Sequence, residues 1–207
     1  MVEYEFSKLG TGVRFPSPAH KEKFGYYKGD KLISKFDKAV KIILEKLSDL
    51  GERTHSENTR DWLFKLTEKP SEETQLAALA HDIDRSIEPK IVQRKTESYQ
   101  DYKVRHSERS SQLIGQILRE IGFEENFVFR VMSLVKFHEV GGDEETNLLQ
   151  DADSISYFDK NLEEYAARNT KEKTMSKVKL MYDRCSARAK KYIDGLATYQ
   201  KFILERT

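Results

Sequence analysis

From about Leu32 to the C-terminus, apolar residues recur at the spacing of an α-helix, and this period is what most limits the fold. The first periodic segment, residues 31–50, carries one apolar stripe, formed by Ile33, Phe36, Val40, Ile43 and Leu44. No convincing pair of alternating strands interrupts the pattern. At 207 residues, the chain is long enough for one domain with a hydrophobic core. The sequence therefore predicts an all-α, single-domain helical bundle.

Glycines, prolines and capping residues divide this region into helices. Ser71 is expected to begin the third helix. A sixth helix is predicted over residues 146–158, and one or two charged helices should follow from Asn161. The predicted helix ends are, in chain order, Gly51, Pro70, Gly122 and Gly141–Gly142.

The charge balance argues against nucleic acid as a partner. Lys and Arg number 36 against 35 Asp and Glu, a net charge of only +1, so nothing indicates nucleic-acid binding. No apolar run is long enough to span a membrane, and the N-terminus lacks the apolar core of a secretory signal. The single cysteine, Cys185, suits a reducing compartment. We expect a cytoplasmic protein.

Histidines and aspartates extend the inward-facing stripes of several predicted helices. His138, for example, continues the stripe of Leu134 and Val135. Asp82 and Asp151 extend similar stripes. The histidines on such stripes are His55, His81, His106 and His138.

Buried histidines and carboxylates need partners, because an unpaired carboxylate in the core costs several kcal/mol. These side chains could satisfy one another by hydrogen bonds. A divalent metal ion would satisfy them better, since imidazole nitrogen and carboxylate oxygen are its ordinary ligands. Asp151 could instead cap a helix, with Asp153 taking its place in the site. The sequence predicts a metal centre in the helical core.

The order His55, His81–Asp82, Asp151 resembles the HD superfamily of metal-dependent phosphohydrolases over residues 35–160. LAALAHDIDR (76–85) is similar to that family's signature helix, and LLQDADSISYF (148–158) to the segment with its final aspartate. The resemblance implies an HD-type helical fold. It also implies that residues 34–160 form a metal-binding helical core. Charged helices in residues 161–207 would complete the same domain. Residues 1–33 are expected to form an arm or loop packed on this domain.

The positions of His106 and His138 resemble the HD branches that hold two metal ions. By that resemblance Asp82 would bridge the ions, with His55, His81 and Asp151 on one ion and His106 and His138 on the other. One or two divalent ions are therefore expected, with Mn, Fe, Co, Ni, Zn and Mg all open. The GYP signature is absent, and Glu139 stands where some branches carry a second adjacent histidine.

A phosphorylated substrate would require basic side chains near the metal. Arg85, Arg109 and Lys136 are the candidate substrate-binding residues, because each follows or precedes a predicted ligand by about one helical turn or less. Arg60 and Arg105 are weaker candidates. The candidate catalytic residues are Asp82, Arg85, Lys136 and Glu139. Asp84 could orient a ligand histidine or act as a base.

The resemblance implies hydrolysis of a nucleotide or another small phosphate ester, with a phosphorylated small molecule as the partner. Two alternatives remain open. One is a di-iron oxygenase of HD fold, and the other is a regulatory module that binds a nucleotide without cleaving it. The oligomeric state is also open.

Overall fold

Polar side chains set where most helices of the computed structural model begin. The structure describes residues 33–47 and 49–205. Side-chain oxygens accept hydrogen bonds from backbone N–H groups in the first helical turn, which satisfies donors that have no partner within the helix. These capping residues are Ser34, Asp49, Ser71, Ser98, Asp143, Thr170 and Ser186.

The regular secondary structure of the described residues is helical, with no strand, which confirms the all-α prediction. A short 3₁₀ helix at Ile83–Ser86 follows the third helix, and a π-helical turn at Tyr157–Asn161 follows the sixth. The α-helices are α1 (Lys35–Lys46), α2 (Leu50–Leu66), α3 (Glu72–Ala80), α4 (Tyr99–Ile121), α5 (Glu125–Phe137), α6 (Glu144–Ser156), α7 (Leu162–Arg168), α8 (Lys171–Asp183), α9 (Ala187–Asp194) and α10 (Ala197–Leu204).

Most predicted helix boundaries are confirmed, but the helix end at Gly51 and the number of C-terminal helices are wrong. Ser71 caps α3, and Gly122 ends α4 with a φ of 92°, a left-handed conformation that favours glycine. Gly51 does not end a helix. It lies in the first turn of α2, because the Asp49 side chain accepts from its N–H. The C-terminal region forms four helices instead of one or two, since Thr170 and Ser186 each start a new helix.

Helix α6 lies in the middle of the bundle. It packs against α2, α3, α5 and α9, and every residue from 149 to 158 is buried. Such a helix has no solvent-exposed face over that stretch. A polar residue there must find a partner inside the protein, whichever way it points.

The described residues form one compact unit, which includes α7 to α10. The predicted N-terminal arm, residues 1–33, lies outside the described residues except for Ile33. Among the helices that the structure describes, none is both long and apolar enough to cross a membrane.

Candidate metal centre

Five elements of the bundle bring histidines and aspartates together in its interior. All of these side chains are at least nine-tenths buried. They are His55 from α2, His81 at the end of α3, Asp82 directly after it, His106 from α4, His138 at the end of α5 and Asp153 from α6.

His81 and His138 are oriented in the same way. Each is the C-terminal cap of its helix, and each Nδ1 lies against a carbonyl oxygen three residues earlier, Ala78 O at 2.9 Å and Val135 O at 2.7 Å. A carbonyl oxygen can only accept a hydrogen bond, so Nδ1 must donate. In the neutral imidazole, Nε2 is then left with its lone pair facing the interior.

The other two histidines are held by side chains. His55 Nδ1 lies 2.9 Å from Ser156 Oγ, whose own proton is donated to the His55 carbonyl. His106 Nδ1 lies 2.6 Å from Asp84 Oδ1. His106 donates from Nε2 to Asp82 Oδ1 at 2.6 Å, whereas the Ser156 contact fixes Nδ1 of His55 as the donor and leaves its Nε2 free. Metal-binding histidines in proteins are usually held in this way, with the second nitrogen free for the ion.

The free atoms are spaced like ligands of one ion. His55 Nε2 lies 3.2 Å from His81 Nε2 and 3.1 Å from Asp153 Oδ1, and His81 Nε2 lies 3.5 Å from the same oxygen. Ligands about 2.1 Å from an ion in tetrahedral or octahedral geometry are about 3.0–3.4 Å apart. Two imidazole lone pairs facing each other at 3.2 Å repel unless a cation or proton lies between them. The residues present therefore fit a metal ion.

Asp82 is shared by two neighbouring groups of potential ligands. One group is His55, His81 and Asp82, and the other is Asp82, His106 and His138, with the ligand atoms of each group within 4.8 Å of one another. Asp82 Oδ1 lies 2.6 Å from His106 Nε2 and 3.8 Å from His138 Nε2, while Oδ2 lies 3.8 Å from His81 Nε2. A third such group joins His138 and Asp153 to Glu139. These buried groups can hold a metal ion.

The charges around the cluster favour a cation. Burial raises the pKa of Asp82, but Arg85, His81 and His106 outweigh this and hold it well below its ordinary value. Burial lowers the pKa of His81, but Asp82 and Asp153 outweigh this and raise it to about 9. His138 differs, because burial dominates and lowers its pKa to about 4.

The structure replaces Asp151 with Asp153 as the aspartate of the cluster. Asp151 Oδ1 accepts from Ser186 N at 2.8 Å, and Oδ2 accepts from the Ser186 hydroxyl, so this carboxylate secures the start of α9. The inward-facing stripe did not distinguish the two residues, because α6 is buried on all sides at this point. Of the two aspartates that the sequence leaves open, the structure places Asp153 in the cluster.

The substitutions Asp153→Asn and Asp151→Asn should separate these roles. Asp153→Asn should weaken metal binding by more than about 10-fold. Substitution of residues that only support a metal ligand already weakens binding by about that factor. Asp151→Asn should leave metal affinity unchanged and lower thermal stability slightly, because an amide oxygen still accepts from Ser186. Metal titration and thermal unfolding measure both. Equal loss of metal in the two variants would return Asp151 to the site.

Two of the predicted substrate-binding residues lie elsewhere. Arg109 donates to the backbone carbonyls of Ile87 and Pro89. Lys136, which was also a predicted catalytic residue, pairs through Nζ with Glu108 at 3.1 Å on the surface. Their helical spacing from the ligands was right, but their side chains point away from the centre. The weaker candidates are also engaged elsewhere, Arg60 with Gln75 and Arg105 with Glu97.

Arg85 and Glu139 do lie at the centre. Arg85 NH1 is 2.9 Å from Asp82 Oδ2, and its side chain is 40% exposed. Glu139 Oε2 lies 2.6 Å from Lys103 Nζ and 2.5 Å from Arg184 NH1. The predicted catalytic role of Glu139 stays a prediction.

Arg184 and Lys103 were not predicted from the sequence. Arg184 joins Glu139 to Asp153, whose Oδ2 is 2.5 Å from its NH2, and also donates to Ser154. Charged residues fill the C-terminal region, so nothing in the sequence marked Arg184. Only the packing of α9 against α6, directly after Arg184 in the chain, brings it inward.

A cavity of about 320 Å³ opens onto the cluster. Its lining includes the potential ligands His55, Asp82, His138 and Asp153, together with Glu139 and Arg85. The other lining residues come from α2, α4, the π-helical turn, α7 and α8. A small molecule entering this cavity would therefore reach the metal-binding atoms.

Fold and site together define an all-helical protein with a buried histidine–aspartate cluster able to hold a metal ion. Residues 35–203 match the model of a family described as a domain of unknown function, DUF4202, and the chain belongs to that family. Comparisons with curated proteins and with solved structures each gave no match.

Proposed function

We propose that this protein is a metal-dependent phosphohydrolase that acts on a nucleotide or another small phosphate ester. The observation that carries the proposal is the common orientation of three buried imidazoles, those of His55, His81 and His138. Each has Nδ1 held by an acceptor, and their Nε2 atoms lie around Asp82 and Asp153, with the ring of His106 against Asp82. With Asp153 in place of Asp151, the order of these residues resembles that of the HD superfamily.

His55, His81, Asp82 and Asp153 would hold one divalent ion, and Asp82, His106 and His138 a second. Bound ions of this kind lower the pKa of water and neutralise charge on a phosphoryl group. Their identity is open, because mixed nitrogen and oxygen ligands suit several metals.

Arg85 is the chain's own candidate for contacting the phosphoryl group. Its NH1 is engaged by Asp82, which fixes the guanidinium at the cavity. The partly exposed side chain retains further N–H donors, and their planar arrangement matches phosphate oxygens. Asp84 would be a positioning residue, because its carboxylate fixes the His106 ring.

Phosphate release from a panel of phosphate esters tests the proposal. The full chain would be freed of metal and supplied separately with Mn, Fe, Co, Ni, Zn and Mg. We expect turnover of nucleoside phosphates with at least one metal, loss of turnover with a chelator, and recovery when that metal is returned. Substrate-dependent oxygen uptake with iron, without phosphate release, would favour the oxygenase alternative. Nucleotide binding without turnover would favour a regulatory module, and either result would contradict hydrolysis.

The expected compartment is part of the proposal. The one cysteine, Cys185, is a free thiol in the interior, which suits a reducing cytoplasm. A phosphorylated small molecule is the proposed partner.

A further inference from the structure

Beyond the potential metal ligands, much of the cavity lining is aromatic. Tyr99 and Tyr102 come from α4, and their rings stack with centroids 6.1 Å apart. Tyr157, Asn161 and Tyr165 follow at intervals of four residues along the π-helical turn and α7, so they share one face. Single π-helical turns often occur at functional sites.

Lys177 of α8 also lines the cavity. Among the described residues, no carboxylate oxygen lies within 4.0 Å of its Nζ. Its contacts are instead with tyrosines, the Tyr99 hydroxyl at 3.4 Å and the Tyr157 ring centroid at 5.4 Å. The side chain is only partly exposed. A partly buried ammonium with no carboxylate in direct contact can bind an anion that enters the cavity.

Four residues that line the cavity each have a buried polar atom that makes no hydrogen bond with a described residue, and two of these atoms are Glu52 Oε2 and Arg85 Nε. The Tyr157 hydroxyl and Asn161 Oδ1 are buried and make no hydrogen bond with any described residue. Buried polar groups in folded proteins are almost always paired with protein, water or ligand. Both residues line the cavity with Lys177, so a ligand in the cavity would lie beside all three residues.

We propose that these residues recognise a nucleoside monophosphate, which specifies the substrate class and rests on the proposed function. Lys177 binds a phosphate oxygen, the tyrosines stack on the base, and Tyr157 and Asn161 hydrogen-bond to the nucleoside. Base stacking on aromatic side chains is a common mode of nucleotide recognition. At about 320 Å³, the cavity is at the lower end of the usual range for ligand sites, about 300–1,000 Å³, which suits one nucleotide unit.

Steady-state kinetics on the metal-loaded full chain test this assignment, with AMP, GMP, CMP and UMP as substrates and glycerol phosphate as the ringless reference. Lys177→Gln should raise KM for the nucleotides by about 10–100-fold, with a smaller effect on kcat. This factor corresponds to the usual free-energy contribution of a hydrogen bond to a charged group. Its control is Lys173→Gln, at an exposed position on the same helix, which should not change KM.

Tyr157→Phe separates binding from stability. It should raise KM for the nucleotides by about 3–10-fold and leave KM for glycerol phosphate unchanged. Since the hydroxyl has no partner among the described residues, its removal should not lower the melting temperature. Tyr199→Phe, at a tyrosine away from this cavity, is the control and should not change KM.

Equilibrium binding of the same nucleotides to the metal-loaded protein separates this inference from the proposed function. Nucleotide binding that Lys177→Gln weakens, without hydrolysis, would support the recognition site and contradict the phosphohydrolase. Hydrolysis with KM unchanged in both Lys177→Gln and Tyr157→Phe would overturn the recognition site and leave the phosphohydrolase standing. Preference for glycerol phosphate over all four nucleotides would also overturn it.

Discussion

Asp82→Ala should abolish metal-dependent phosphate release, with kcat/KM reduced by more than about 100-fold. Asp82 is the carboxylate shared by the two groups of potential ligands, and it contacts His106 and Arg85 at 2.6 Å and 2.9 Å. Its removal would take a ligand from both groups and release Arg85. Substitution of a residue that only supports a metal ligand usually lowers metal affinity or activity by about 10–100-fold. Loss of a ligand that two groups share should lower activity by more.

The control for this substitution is Asp61→Ala, at an exposed position on α2. Asp61→Ala should keep wild-type metal content and turnover. Phosphate release and elemental analysis would be measured on both variants, with circular dichroism to confirm the helical fold. A folded Asp82→Ala protein with wild-type turnover would contradict the assigned site.

Arg184→Met should lower the free energy of unfolding by about 3–5 kcal/mol, the usual cost of removing one partner from a buried ion pair. The Arg184 side chain is 11% exposed and pairs with both Asp153 and Glu139. Methionine would fill much of the space but leave two carboxylates with less compensation. Added metal should restore part of the loss, because an ion bound at Asp153 would neutralise that carboxylate.

Denaturant unfolding with and without metal measures this effect. Arg119→Met is the control, since Arg119 pairs with Glu125 on the surface, where an ion pair contributes about 0–1 kcal/mol. Equal losses in the two variants would show that the buried ion pairs around Arg184 contribute no more than a surface pair.

Local patterns predicted the fold well because capping and helical period act within a few residues. Ser71 and Gly122 mark helix boundaries by their own backbone chemistry. The C-terminal helices were harder to divide, because their boundaries depend on single caps such as Thr170 within a uniformly charged stretch. The predicted helix end at Gly51 was wrong because glycine can occupy the first turn of a helix as well as follow its last turn.

The candidate site was predictable where a polar residue interrupts an apolar stripe, as at His81 and His138. It was not predictable where the helix is buried on every side, as at Asp151 and Asp153, because both residues then face the interior. Arg184 could not be found at all, since its burial depends on how distant helices pack.

Metal binding by the purified full chain tests the central claim most directly. Metal-free wild-type protein and the double variant His55→Ala/His81→Ala would each be titrated with Mn²⁺ and Zn²⁺, dialysed and analysed for bound metal. We predict one or two equivalents per wild-type chain, with a clear loss in the double variant. A folded wild-type protein that retains no metal, or a double variant that retains as much as the wild type, would contradict a metal centre formed by these histidines.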